Sequence, residues 1–323
     1  VNTERARAFW IAAPGRGEIR EETLPPSTDR EILVRARYSG ISRGTEALIF
    51  NGSVPATEYQ RMRAPFQAGE FPGPVKYGYA SVGEVEQGPD EWMGRRIFSL
   101  YPHQTRYVIP ADAAYPLPDD VPSSRAVLAA NLETAVNGVW DARPHIGDRL
   151  VVVGAGTVGC LTAWVAKHSG CDVHLVDVNP ARAAIASQLG LTFALPAEAP
   201  RDADTVIHAS GAPEGLDLAC RLAATEATIV EMSWYGTRVV PLPLGEAFHA
   251  RRLTLKSSQV GQVAASQRAR WDFRRRMTFA LSLLADPALD ALITGESDFQ
   301  DLPRVMAALA GSPGDTLCHR IRY

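Results

Sequence analysis

The chain has 323 residues, 46% of them hydrophobic and 21% charged, enough to bury a sizeable core and to divide into two domains. A formal charge of −3 and a pI near 6.2 provide no overall attraction to nucleic acid or to an anionic membrane, and neither is expected as a partner. No apolar run approaches the roughly 20 residues that span a bilayer, and the start, VNTERARAFW, lacks a basic stretch followed by an apolar core, so a cytoplasmic protein is expected.

From Arg5 to about Tyr115 the sequence reads as short strands broken by Pro and Gly: RAFWIAA, EIREETL, EILVRARYSGIS, YASVGEVEQ, RRIFSLY and TRYVIP. Strands at this spacing predict an all-β domain. Between Asn51 and Pro74 lies a stretch with four prolines and little strand character. A loop of that length in a packed domain is usually a lid or a disordered segment. It carries Arg61 and Arg63, with Lys76 just beyond, and Tyr59, Phe66 and Phe71. If it covers a site, these cations suit a bulky substrate bearing a carboxylate or phosphate. The plainer reading pairs the arginines with Glu58 and Glu70 on a solvated loop.

A proline-marked break, YPLPDDVPSS, ends the β region, and Asp120 or Ser123 is placed to cap the helix RAVLAANLETAVNGVWDA. Then comes LVVVGAGTVGCLTAWVAKHSGCDVHLVDVN, Leu150 to Asn179. An apolar β-branched run meets glycines at 154, 156 and 159, followed by a helical period and a second apolar run ending in Asp177. In a strand, turn, helix and strand, the first glycine permits the turn, the second admits a pyrophosphate, and the third lets helix pack on strand. Asp177 follows Gly156 by about 20 residues, the distance expected of a carboxylate that accepts from ribose hydroxyls. Gly154, Gly156, Thr157, Val158 and Gly159 are therefore expected at the pyrophosphate, and Asp177, Val178, Asn179 and Arg182 around the adenosine. The carboxylate disfavours a 2′-phosphate, so NAD is the expected cofactor.

Farther on, FALP, ADTVIHAS, ATIVEMSW and LTLKSS alternate with helical stretches such as GLDLACRLA, which argues for a parallel sheet covered on both faces. Ligands of such sheets bind beyond the carboxyl ends of the strands, so Ser210, Gly211, Ser233 and Trp234 are expected to face the nicotinamide half, with Thr134 behind the ring. SQRARWDFRRRMTFALSLLAD is helical in period, with five arginines between 268 and 276 that read as a solvated face. The tail gives strand, helix and strand, expected to return to the first domain. The expected domains are thus 1–122 with 263–323, and 123–262. Cys160, Cys171, Cys220 and Cys318 lack C-x-x-C spacing and read as buried fillers.

A β-rich first part, a central part opening with VVVGAGTVG and a returning tail together resemble the medium-chain dehydrogenase/reductase superfamily, the relatives of zinc alcohol dehydrogenase. Within it, YSGISRGTEALIFNG (Tyr38 to Gly52) and IHASGAPEGLD are similar to the bacteriochlorophyllide a dehydrogenases. The resemblance implies an α/β fold in which a GroES-like β-barrel domain is paired with a Rossmann domain. It also implies hydride transfer between NAD(P) and a small-molecule substrate held in an interdomain cleft. A homodimer formed through sheet edges is implied too, with Leu253 to Ser258 as the candidate strand.

Departures from the family pattern are as informative. Zinc-dependent members place a cysteine where this chain has Ser42, a His-Glu pair where it has Tyr79 and Ala80, and a third ligand at the position of Ala130. The four-cysteine lobe is missing, since RRIFSLY runs almost directly into TRYVIP. Catalytic zinc needs about three protein ligands and an open position, so no metal is expected, unless His103, Glu133 and another residue form an unrecognised site. Without a Lewis acid, a hydrogen-bond donor must act on the substrate oxygen. The candidates by family position are Ser42, Thr45, Tyr79 and His103. The expected reaction is zinc-independent oxidoreduction of a hydroxyl/ketone pair. Reduction of an activated C=C bond and nucleotide binding without turnover are the alternatives.

Overall fold

Ile32, Val34 and Ala36 fall on alternate positions of the Glu31–Ile41 strand and are buried, with Tyr107, Ile109 and Val85 packed beside them. This strand is the hub of one seven-stranded sheet. Ser81–Gln87, Arg106–Pro110 and Cys318–Arg322 all pair with it antiparallel, and Arg96–Ser99, Tyr115–Pro116 and Ile293–Asp298 extend the sheet outward. A second sheet runs Arg16–Thr23, Arg5–Ala13, Val75–Lys76, Ala68–Gly69. The tail strand thus pairs with the N-terminal β region, placing His319 opposite Ile41.

Six parallel strands make the other unit, in the order Thr192–Ala194, Asp172–Val176, Arg149–Val153, Ala203–His208, Ala223–Glu231, Thr254–Ser257. The order reverses between Arg149–Val153 and Ala203–His208, the crevice at which such sheets bind ligands. Val151, Val152 and Val153 are consecutive and all buried, as expected of a strand covered on both faces. Thr254–Ser257 forms a sheet edge, with Leu255 partly exposed. The protein therefore has the two-domain α/β architecture expected, a β unit and a doubly wound parallel-sheet unit.

These relations come from a computed structural model, which describes residues 4–312 and 314–323. The β unit runs through Ala130 and takes in Met277–Pro287 and Ile293–Tyr323, while Asn131–Arg276 with Ala288–Leu292 forms the parallel-sheet unit. The expected join at 262 comes too early for a physical reason. Ala264 N–H donates to Asn137 Oδ1, Ser266 Oγ to the Trp140 carbonyl and Arg276 Nε to Glu133, fastening that segment to the Ala129–Ala142 helix.

Other boundaries move as well. The helix expected over 266–286 spans only Phe273–Leu283, because Asp272 Oδ1 accepts the Arg275 N–H and so starts the helix there. An unexpected helix, Arg43–Phe50, follows the hub strand, and Glu46 in its first turn accepts the Ser42 N–H at 2.8 Å. All four cysteines are buried. No helix among the described residues is long and apolar enough to cross a membrane.

Candidate active site

Three elements of the β unit bring the four catalytic candidates into two adjoining clusters. Ser42 precedes the Arg43–Phe50 helix and Thr45 lies in its first turn, while Tyr79 stands just before Ser81–Gln87. The side chains of Ser42 and Thr45 hydrogen-bond the Tyr79 phenol. Burial and the nearby Glu46 charge push that phenol up to about 12, against the two hydroxyls, which favour the phenolate. The phenol therefore stays protonated at neutral pH and keeps an O–H to donate. Tyr79 as a residue is half-buried.

His103 belongs to the second cluster. One ring nitrogen, Nε2, lies 2.8 Å from Glu46 Oε2, and the other, Nδ1, lies 2.7 Å from Ser39 Oγ, whose oxygen is 2.9 Å from the Tyr323 hydroxyl. The Gln104 amide bonds Tyr323 in turn. Both ring nitrogens are thereby engaged, one by the Glu46 carboxylate and the other by the Ser39 hydroxyl. His103 is 1% exposed and has no free nitrogen, which corrects the expectation that it donates to substrate. It instead holds Glu46, and Glu46 holds the backbone of Ser42. Gly78 permits this approach, since at its φ of +134° a Cβ would come within 3.0 Å of the imidazole. Sequence reasoning missed Glu46, Ser39 and Tyr323. Only Glu46 left a signal, a carboxylate four residues after Ser42.

The residues at the zinc-ligand positions do not fit the metal. Ser42 and Tyr79 are bonded to each other, Ala80 and Ala130 carry no donor, and both oxygens of Glu46 and both nitrogens of His103 are engaged within the protein. Glu133, the other residue considered, receives Arg276 Nε at 3.0 Å. Burial raises its carboxyl, and the guanidinium opposes that shift. Among the described residues no group of three or more His, Cys, Asp or Glu side chains could hold a metal ion.

The three substrate candidates are not free cations. Arg61 Nη1 lies 2.9 Å from Glu58, and Arg63 donates to Glu70, the Gln67 carbonyl and the Gly69 carbonyl. Lys76 is buried and donates to Glu22 and Gln104 at 2.6 and 2.7 Å. The plainer reading, Arg61 with Glu58 and Arg63 with Glu70, is the one observed, and the premise of unpaired lid cations is corrected. The loop is tied down by its own ion pairs, and Lys76 is part of the interior.

In the parallel-sheet unit the glycine turn is built as its spacing predicts. Gly154 has φ +109° and packs so close to Ser210 that a Cβ would lie 2.6 Å from its backbone, and a Cβ on Gly159 would meet the Gly154 carbonyl. At Gly156 a Cβ would meet nothing within 4 Å, leaving open space before the Thr157–His168 helix, where a pyrophosphate would sit. Thr157 and Val158 open that helix. Asp177 accepts from the Ala155 and Asn179 amides at 2.6 and 2.8 Å, which places its carboxylate beside the turn. Val178 is 80% exposed next to it. Arg182, at the start of the Arg182–Gln188 helix, is buried.

Ser210, Gly211, Ser233 and Trp234 lie just past the carboxyl ends of Ala203–His208 and Ala223–Glu231, and Gly211 N–H donates to Ser233 Oγ at 3.0 Å. Thr134 is on the Ala129–Ala142 helix, part-exposed. Behind these loops is a pair that sequence reasoning missed. His208 and Glu231 are register partners on adjacent strands, joined Nδ1 to Oε2 at 2.7 Å, with His208 Nε2 reaching Ser210 Oγ at 2.5 Å. Ser233 N–H and Tyr235 OH also donate to Glu231. A histidine and a glutamate at the carboxyl ends of two neighbouring strands were the available signal.

A family model described as zinc-binding dehydrogenase matches residues 157–278. D-guloside 3-dehydrogenase of Escherichia coli K12 is 24% identical over 314 residues, covering 88% of this chain and 87% of its own. L-idonate 5-dehydrogenase of E. coli superposes with a TM-score of 0.81 at 15% identity over 99% of both chains. A Sinorhizobium meliloti structure described as a zinc-binding dehydrogenase, bound to NADP, gives 0.79 at 17% over 99% of this chain and 100% of its own. The fold, the glycine turn and these likenesses together support the medium-chain dehydrogenase/reductase superfamily.

Proposed function

We propose that the protein is a zinc-independent oxidoreductase that interconverts a hydroxyl and a ketone with NAD(H). The carrying observation is the Tyr79 phenol, bonded by Ser42 and Thr45 at the position of a family zinc ligand and kept protonated by burial. The bound nicotinamide supplies the hydride chemistry. Tyr79 donates its hydrogen bond to the substrate oxygen, lowering the cost of the charge that develops there during ketone reduction. Ser42 and Thr45 fix the phenol, and the Glu46–His103 pair fixes the turn that bears Ser42. The relative named D-guloside 3-dehydrogenase supports alcohol chemistry. With Arg61, Arg63 and Lys76 engaged within the protein, these cations do not argue for a bulky anionic substrate. The decisive assay is product analysis after turnover: a changed C–O bond supports this reading, and a changed C=C bond or no turnover with any alcohol or ketone rejects it.

Two further expectations belong to the same reading. Elemental analysis of dialysed, active protein should find no stoichiometric zinc, and chelators should leave the rate unchanged; zinc retained at one per chain would refute metal independence. On the cofactor side, the Asp177 carboxylate beside the turn repels a 2′-phosphate. Calorimetry should therefore show NADH bound more tightly than NADPH by tenfold or more, about 1.4 kcal/mol. Equal affinities would falsify the role given to Asp177.

A further inference from the structure

The nine residues from Arg268 to Arg276 carry five arginines in a chain whose net charge is −3. One of them anchors the segment. Arg276, 1% exposed, donates to Glu133, to Asn137 Oδ1 and to the Val260 carbonyl. Three others, Arg268, Arg270 and Arg275, are exposed and bond only neutral oxygens: the Val263 carbonyl at 3.4 Å, Gln267 Oε1 at 3.0 Å and the Arg270 carbonyl at 2.6 Å. Among the described residues none of the three is paired with a carboxylate. The acid in their midst, Asp272, spends an oxygen on the Arg275 amide at the helix start.

Aromatic groups are interleaved with these charges. Arg275 stacks 4.0 Å over the Trp271 ring, which leans on Trp140 with centroids 4.9 Å apart. Phe273 is 50% exposed, with its ring centroid 5.3 Å from the Arg276 guanidinium. An interior does not need this combination, and a solvated helix face would avoid the phenylalanine. It is the chemistry of a surface that rests in the headgroup layer of a lipid bilayer, where guanidiniums meet phosphates and aromatic rings enter the acyl boundary. Net charge argues against general attraction to a membrane, but attraction at this range is local, because charges beyond about 8 Å are screened at physiological salt.

We propose that Arg268, Arg270, Arg275 and Phe273 form a docking surface for an anionic lipid bilayer, so that the protein works as a peripheral membrane protein. Charge complementarity selects the anionic lipid, and the exposed phenylalanine selects a bilayer over an acidic protein or a nucleic acid. The proposal is independent of the reaction assigned above.

The test is co-sedimentation of the full chain with vesicles of phosphatidylcholine alone and with phosphatidylglycerol added. Binding is expected only with phosphatidylglycerol and is expected to weaken as salt rises. It should fall about fivefold per guanidinium removed, on the order of a hundredfold in the triple variant Arg268→Gln/Arg270→Gln/Arg275→Gln. The triple lysine variant should retain binding, and both should keep NADH affinity, which reports that the fold is intact. Phe273→Ala should weaken vesicle binding without changing retention on heparin. Salt-insensitive binding, equal binding to neutral vesicles, or no binding to either overturns the proposal. So does a Phe273→Ala variant that binds vesicles normally, since the patch would then be a general polyanion site.

Discussion

Replacing Tyr79 by phenylalanine should lower kcat for ketone reduction about 10²–10³-fold, the usual cost of losing one donor aimed at a developing oxyanion, while leaving NADH affinity unchanged. The substitution removes one oxygen from a ring whose packing against Tyr77 stays in place, so the loss belongs to the hydrogen bond and not to the fold. A pH profile gives an independent check. Only the neutral phenol donates, and burial moves its loss of a proton from the ordinary tyrosine range up to about 12. The rate of reduction should therefore be flat from neutrality to about pH 10, with no decline centred on an ordinary tyrosine value. A Tyr79→Phe enzyme within about threefold of the parent would remove Tyr79 from the mechanism and with it the zinc-free reading of the site.

The cofactor half was legible because its signals are local. A glycine that must adopt φ +109° and another whose Cβ would strike a carbonyl leave their mark in the sequence at fixed spacing, and so does the acid at the end of the next strand. The catalytic half was legible only as a set of positions. Ser42, Thr45 and Tyr79 could be named, but that they bond one another depends on a helix, Arg43–Phe50, which sits inside a stretch of strand-like composition. His103 illustrates the limit. A histidine near the expected site looks catalytic on chemistry alone, and only the fold reveals that Ser39 and Glu46 occupy both its nitrogens. For the loop arginines the plainer reading is the one the structure shows, Arg61 with Glu58 and Arg63 with Glu70, because acids close in sequence are available to both. Nothing local announces the bond between Glu133 and Arg276, which are far apart in sequence and share a buried site.

That bond should carry the largest single-residue effect on stability. Arg276→Met is expected to destabilise the protein by about 3–5 kcal/mol, the range for removing one partner of a buried ion pair, read as a shift in the denaturant midpoint. The guanidinium serves four acceptors: Glu133 Oε1, Asn137 Oδ1 and the carbonyls of Val260 and Gln262. Methionine can fill the volume but satisfies none of them. The sign of the pH dependence follows from Glu133. Burial already raises its carboxyl above 4.5 in the folded state despite Arg276, so a folded value above the unfolded one means that its ionisation opposes folding as pH rises through the folded value. Without the guanidinium that value rises further, the opposition at neutral pH grows, and acidification toward 4.5 should recover part of the lost stability. The double variant Glu133→Leu/Arg276→Met supplies the control. Removing both charges at once should restore more than half of the loss, because the cost lies in stranding a carboxylate and not in forgoing a salt bridge. Equal destabilisation of the single and double variants would instead assign the effect to the Asn137 amide oxygen and the two carbonyls, which lose the guanidinium in both variants.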